Sequence, residues 1–252
     1  MTTALRMLGL LTATLGLAAC ATLRAPIPTT VTPADPDAVW GRVLAEHVDG
    51  AGAIDFVALR ERPRDLEAYV AWVAGHGPRS TPALFPTRES RLAYYINAYN
   101  ALAMYQIVAT ARRPEAQVRF FVASRVPIDG RTMSLYALEN DVIRPLGEPR
   151  VHFALNCMVR ACPRLPRAPF TAERLDTMLD AETRRFLDDP RHVQVDPPLR
   201  TVRLNSILRF YTADFLAAAP SLPAYVNRYR SVPIPEDYRV RFIPYDWTLH
   251  QR

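Results

Sequence analysis

The chain has 252 residues, 49% hydrophobic and 22% charged, a balance that can bury a core and excludes a disordered chain. The net charge is +6, and all 31 basic residues are arginine. These arginines are scattered, with no basic stripe interleaved with aromatics, so the charge pattern argues against nucleic acid as a partner.

Residues 1–20, MTTALRMLGLLTATLGLAAC, read as a targeting segment. Arg6 supplies the positive start, and residues 7–17 form an apolar run too short to span a bilayer. The run ends in Leu17-Ala18-Ala19-Cys20, which resembles the bacterial lipobox. That resemblance implies that Cys20 is acylated and becomes the mature N-terminus; an ordinary secretory signal cut after Ala19 is the alternative. Ala21, where an Asp would retain a lipoprotein in the inner membrane, implies an outer-membrane lipid anchor with the domain facing the periplasm. Residues 21–36, rich in Pro and Thr, read as a tether. With Cys20 acylated, only Cys157 and Cys162 remain, and an oxidising periplasm permits one disulfide with no thiol left over.

The folded domain is expected over residues 37–252. Residues 37–48 and 63–74 carry apolar positions at helical spacing. Residues 87–111 give the longest helical signal, with Thr87 and Ser90 as caps. Its centre, LAYYINAYNALAMYQIV, is apolar on nearly every side, which predicts a buried central helix. Asn97 and Asn100 share one face of it, either pinning a neighbouring loop or lining a site. Residues 118–122 look strand-like, and residues 126–133 form a hairpin around Asp129-Gly130. Ser134 caps a helix through residue 143 that contains Glu139.

Residues 150–163, RVHFALNCMVRACP, hold the densest reactive chemistry. Residues 151–155 read as a short buried strand interrupted by His152 and followed by Asn156, Cys157 and Cys162. Beyond it come a helix capped by Thr171, a hairpin over residues 193–204, helices over 207–216 and 221–229, and a strand over 240–244. Helices outnumber short strands of mixed order, so the fold expected is a single α+β domain, helix-rich around a small mixed sheet with a buried central helix.

Four stretches, YYINAYNAL from Tyr94, SLYALENDVIR from Ser134, RVHFALNCMVRACP from Arg150 and PYDWTLH from Pro244, resemble the bacterial and plant domain-of-unknown-function family 547. The resemblance implies a fold and candidate positions but no reaction. His152, Asn156, Cys157, Cys162 and Pro163 match the family pattern. Met158 and Val159 depart from it, standing where members often carry a small residue and a serine, so any role of that hydroxyl is absent here.

The residues support two functions of different classes. In the first, Cys157 is a nucleophile with His152 as its base, giving a papain- or transglutaminase-like acyl-transfer hydrolase of peptide or amide bonds. Glu139, Asp246 or an asparagine of the central helix, Asn97 or Asn100, would orient the imidazole, Asn97, Asn100 or Asn156 would donate to an oxyanion, and Arg150, Arg160 and Arg164 would favour the thiolate. Arg160, Asn97 and Asn156 are candidate ligand contacts. In the second, Cys157 and Cys162 form a structural disulfide in an anchored binding or scaffold protein whose ligand is an envelope peptide or small molecule. Neither reading calls for a cofactor. Zinc would have only His152, Cys157 and Cys162 as ligands, in competition with their oxidation, so no metal site is expected.

Overall fold

In the computed structural model, which describes residues 25–110 and 114–252, three short helices wrap a fourth. Helix α1 (Pro36–His47) starts at Asp35, whose carboxylate accepts the Ala38 N–H at 2.9 Å. Helix α2 (Phe56–Glu61) is capped likewise by Asp55. Helix α3 (Arg64–Gly75) lies against α1, with Tyr69 stacked on Trp40 at 5.3 Å. Helix α4 (Arg88–Thr110) follows, and residues 92–107 are buried without a break. Thr87 and Ser90 exchange backbone-to-hydroxyl hydrogen bonds at 3.1 and 3.2 Å at its start.

Strands β1 (Val126–Ile128) and β2 (Arg131–Met133) form the antiparallel hairpin expected. Asp129 and Gly130 both take positive φ, 54° and 71°, as a two-residue hairpin turn requires. Helix α5 (Leu135–Ala137), capped by Ser134, runs on through a π-helical turn, Leu138–Ile143.

The second half builds its own apolar cluster, including Phe186, Val202, Leu204, Leu208, Phe215 and Val226. It comprises helix α6 (Leu175–Asp188), strands β3 (Val193–Asp196) and β4 (Thr201–Asn205), helices α7 (Ile207–Phe210), α8 (Thr212–Ala218) and α9 (Leu222–Asn227), and strand β5 (Arg239–Ile243). The sheet order is β3-β4-β5, antiparallel then parallel. The molecule is an α+β fold with a buried central helix and two small sheets, one of them mixed.

Two expected strands are helical turns instead. Val118–Ala123 is a π-helical turn, and Pro149–Phe153 is a 3-10 helix. Among the described residues neither segment joins a sheet. An apolar run this short carries too little periodicity to separate strand from helix, and at residues 151–155 burial throughout removes the alternation altogether. The helix expected over 207–216 breaks at Tyr211, between α7 and α8. Cys20 and the targeting segment lie outside the described residues. Within the segment read as a tether, the Ala25 N–H donates to the Arg125 carbonyl at 2.8 Å, and the Tyr105 hydroxyl donates to the Pro26 carbonyl at 3.1 Å. Among the described residues no helix is long and apolar enough to cross a membrane.

Candidate functional site

The 3-10 helix Pro149–Phe153 is the seam between the two apolar clusters. Val151 and Ala154, three apart and so on one face, pack into the first cluster, while Phe153 packs into the second. A strand offers two faces and this segment must serve three, because His152 turns to a cavity between the clusters. Arg150 holds the start of the turn to α6. Its guanidinium reaches Glu148, Asp176 and Asp180 at 2.8, 2.8 and 2.6 Å. Asn100 of α4 holds the end, donating to the Ala154 carbonyl at 3.0 Å and accepting the Asn156 N–H at 2.7 Å.

Asn156 then bends the chain. Its side-chain oxygen accepts the Met158 N–H at 2.6 Å, and its amide donates to the Pro163 carbonyl at 2.7 Å. Met158 sits at φ 66°, a left-handed conformation that costs a side-chain-bearing residue about 1 kcal/mol or more. Its side chain is fully buried, which holds the turn. This bend brings Cys157 to the same cavity as His152, five residues before it.

The imidazole of His152 is fixed from several sides. Its Nε2 lies 2.8 Å from an Asp214 carboxylate oxygen, and Asp214 in turn accepts two hydrogen bonds from Arg144 at 2.7 and 2.8 Å. The Arg144 hydrogen bonds first, and the His152 hydrogen bond second, hold the Asp214 carboxyl well below the usual carboxylate range. An ionised carboxylate only accepts, so Nε2 carries a proton, and in the neutral imidazole the lone pair falls on Nδ1. Nδ1 is buried, has no hydrogen-bond partner among the described residues, and lies 3.9 Å from Glu139. Tyr211 stacks on the ring at 3.8 Å, and Phe215 meets it edge-on at 5.4 Å.

Burial raises the Glu139 pKa, against hydrogen bonding from Tyr211, the charges of His152 and Arg144, and hydrogen bonding from Tyr99. Burial also pushes the Tyr245 hydroxyl pKa far up, with Glu139 adding to it, so this hydroxyl stays a donor. The cavity has a volume of about 170 Å³ and a largely aromatic wall that includes Phe121, Tyr136, Phe210, Tyr245 and Trp247.

Cys157 and Cys162 form a disulfide with their Cα atoms 6.2 Å apart. Cys157 lines the cavity, while Cys162 lies behind it, 4% exposed. The Tyr245 hydroxyl is 3.3 Å from each sulfur. The bridge closes a loop with a sequence separation of 5. Loop-closure entropy for so small a ring is about 2 kcal/mol. Replacing both cysteines with serine is expected to lower stability by about that much. Urea unfolding of the oxidised protein and of the double variant measures it.

Of the residues singled out from sequence, His152, Glu139 and Cys157 converge on this cavity. The three asparagines bind backbone instead: Asn100 and Asn156 as described, and Asn97 by bonds to the Phe170 carbonyl and N–H at 2.7 and 3.0 Å. Asp246 accepts the Thr248 N–H at 2.9 Å and, with Arg160, lines a separate cleft of about 470 Å³. Tyr245 and Trp247, on either side of Asp246, face the aromatic cavity, as alternation along an extended chain dictates. Arg164 is paired with buried Glu182, and Arg150 with its three carboxylates, so neither is a free cation for a thiolate. Among the described residues no group of three or more His, Cys, Asp or Glu is placed to hold a metal ion.

Sequence reasoning missed Asp214 and its partner Arg144, and with them Tyr211. Asp214 stands 62 residues from His152 in a short helix, and no motif or spacing marks it. Arg144 closes one of the four quoted stretches and was the only one with a signal.

The site is thus a histidine held by a carboxylate, facing a second carboxyl and a disulfide across an aromatic cavity. Residues 84–187 match the family model described as "Protein of unknown function, DUF547". The matched span contains α4, Glu139, His152 and both bridged cysteines, while Asp214 and Tyr245 lie beyond it. No curated protein and no solved structure matches the chain.

Proposed function

We propose that the domain is a Cys/His acyl-transfer hydrolase acting on peptide or amide bonds, latent while Cys157 is bridged. The observation that carries this reading is that Cys157, His152 and Glu139 line one cavity. After reduction, the Cys157 thiol gives its proton to Nδ1 of His152 and attacks the amide carbonyl. Asp214 keeps the imidazole in the tautomer this step needs. Glu139, whose burial favours the protonated form, supplies a proton to the departing amine. Water then hydrolyses the thioester. The ending Leu17-Ala18-Ala19-Cys20 supports a lipid anchor, which would set this chemistry on the periplasmic side of the outer membrane.

The test is alkylation of reduced protein by iodoacetamide across pH, together with cleavage of a panel of N-acyl-aminocoumarin amides. Thiolate reactivity well below the ordinary thiol pKa of about 8.5 is expected, and His152→Ala should slow amide cleavage by about 10²–10⁴-fold. An ordinary alkylation profile in both proteins, with no amide cleaved, would falsify the hydrolase. A second reading would then hold, in which the domain binds an apolar or aromatic small molecule. That reading is favoured by the aromatic wall and by a bridged Cys157 that cannot attack a carbonyl.

A further inference from the structure

We infer that the Cys157–Cys162 disulfide is a thiol–disulfide exchange site, opened by a dithiol that attacks Cys157 and expels Cys162. The two sulfurs differ in access. Cys157 is partly exposed and lines the cavity, whereas Cys162 is buried behind it. A nucleophile entering by the cavity therefore meets the Cys157 sulfur. The two sulfurs also differ in how well each carries charge as a leaving group. Cys162 Sγ accepts the Cys157 N–H at 3.0 Å and has the Tyr245 hydroxyl at 3.3 Å. Among the described residues Cys157 Sγ has only the Tyr245 hydroxyl, also at 3.3 Å. Hydrogen bonds to a thiolate lower the pKa of its thiol, and the lower-pKa thiol leaves faster. Access and leaving-group stability thus select the same direction of attack.

The steps balance. A thiolate of the dithiol forms a bond to Cys157 Sγ, the Cys157–Cys162 bond breaks, and its electron pair stays on Cys162 Sγ. The second thiol of the reductant, once deprotonated, attacks its own mixed-disulfide sulfur and releases Cys157 as a thiolate. The reductant ends as a disulfide, and its two protons end on Cys157 and Cys162. The chain's third cysteine, Cys20, lies outside the described residues, so the dithiol is taken to be a second molecule. The exchange itself needs no hydrolase. Its use as a switch, exposing Cys157 to His152, rests on the proposed function.

The test uses oxidised full-length protein incubated briefly with reduced glutathione, a monothiol with no second thiol of its own to resolve the mixed disulfide at once. The reaction is quenched with acid and mapped by mass spectrometry. The adduct is expected on Cys157, with Cys162 free, and Tyr245→Phe should slow its formation about fivefold, as loss of one hydrogen bond implies. Protein unfolded in urea should give adducts on both cysteines. Adducts on Cys162 or split evenly in the folded protein would overturn the assignment. So would a bridge that resists dithiothreitol until urea is added. Should Tyr245→Phe fail to fold, the single variants decide: Cys162→Ser should react with oxidised glutathione faster than Cys157→Ser, and the reverse order overturns the proposal. Exchange at Cys157 without cleavage of any amide probe removes the hydrolase reading alone.

Discussion

Asn100→Leu is expected to cost the domain roughly 2–6 kcal/mol of stability, because it strands two buried backbone groups. Leucine keeps the branching of asparagine but its methyl groups are bulkier than the amide, so overpacking of this buried site adds to the loss of the hydrogen bonds. The Asn156 N–H and the Ala154 carbonyl, bonded to Asn100 at 2.7 and 3.0 Å, are left in an apolar interior. Each unsatisfied group of this kind costs about 1–3 kcal/mol. Those bonds also shape the turn that carries His152 and Cys157 into one cavity, so Cys157 reactivity after reduction should change as well. Asn97→Leu is the control. It frees the Phe170 N–H and carbonyl, far along the chain from Cys157, and should cost similar stability while leaving that reactivity intact. Urea unfolding and timed alkylation measure both. A loss below about 1 kcal/mol for Asn100→Leu would show that residues 154–156 find other partners, and would refute the clamp.

The burial of a single imidazole should remove about 3 kcal/mol of stability as pH drops from 6.5 to 4, against the opposite contribution of Glu139, whose carboxyl pKa is raised. His192 is buried, stacked on Phe186 at 3.9 Å, and its pKa is lowered to about 4, mainly by desolvation. Asp189 pulls the other way, and Arg191 adds to the lowering. The Asn205 amide donates to Nδ1 of His192 at 3.0 Å and to the Ala161 carbonyl at 3.1 Å, so protonation of Nδ1 would destroy that bond. Between pH 6.5 and 4 the unfolded chain binds a proton at His192 that the folded chain does not, so the unfolded state gains as pH falls. About a unit above the unfolded value of 6.5 both states are neutral there and the dependence ends. His47 and His250, also lowered by burial, add to the fall. Glu148, Asp189 and Asp214, with depressed carboxyl pKa values, contribute stability that is lost only below about pH 4. Urea unfolding of wild type and His192→Asn at several pH values isolates the effect. Equal slopes between pH 4 and 6.5 would exclude His192 as its source.

Local signals were legible wherever a period or a cap carried them. Helices α1, α3 and α4 follow from apolar spacing, and the Asp129-Gly130 turn from its two-residue chemistry. The buried central helix followed from a segment apolar on all sides. Burial on every side also defeated the reading of residues 151–155, because it erases the alternation that marks a strand, while residues 118–122 are an apolar run too short for periodicity to separate strand from helix, with Phe120 buried and Val122 exposed. The asparagines of α4 were open between two roles, because a buried amide must be satisfied but its partner is set by whichever backbone approaches it. That backbone proved to be Ala154 and Asn156 for Asn100, and Phe170 for Asn97.

The α+β class, the central helix, and the stretch where His152 and the two cysteines stand were readable from the residues alone, as was the helix that carries Glu139. That Asp214 and Arg144 fix the His152 ring, that Tyr245 touches both sulfurs, and that Asp246 and Arg160 face another cleft emerges from the folded chain. The cause is the seam. The cavity lies where two separately packed clusters meet, and the side chains that complete it come from α8 and from the segment after β5. Periodicity reports which face of an element is buried; it carries no information on how two such clusters are set against each other.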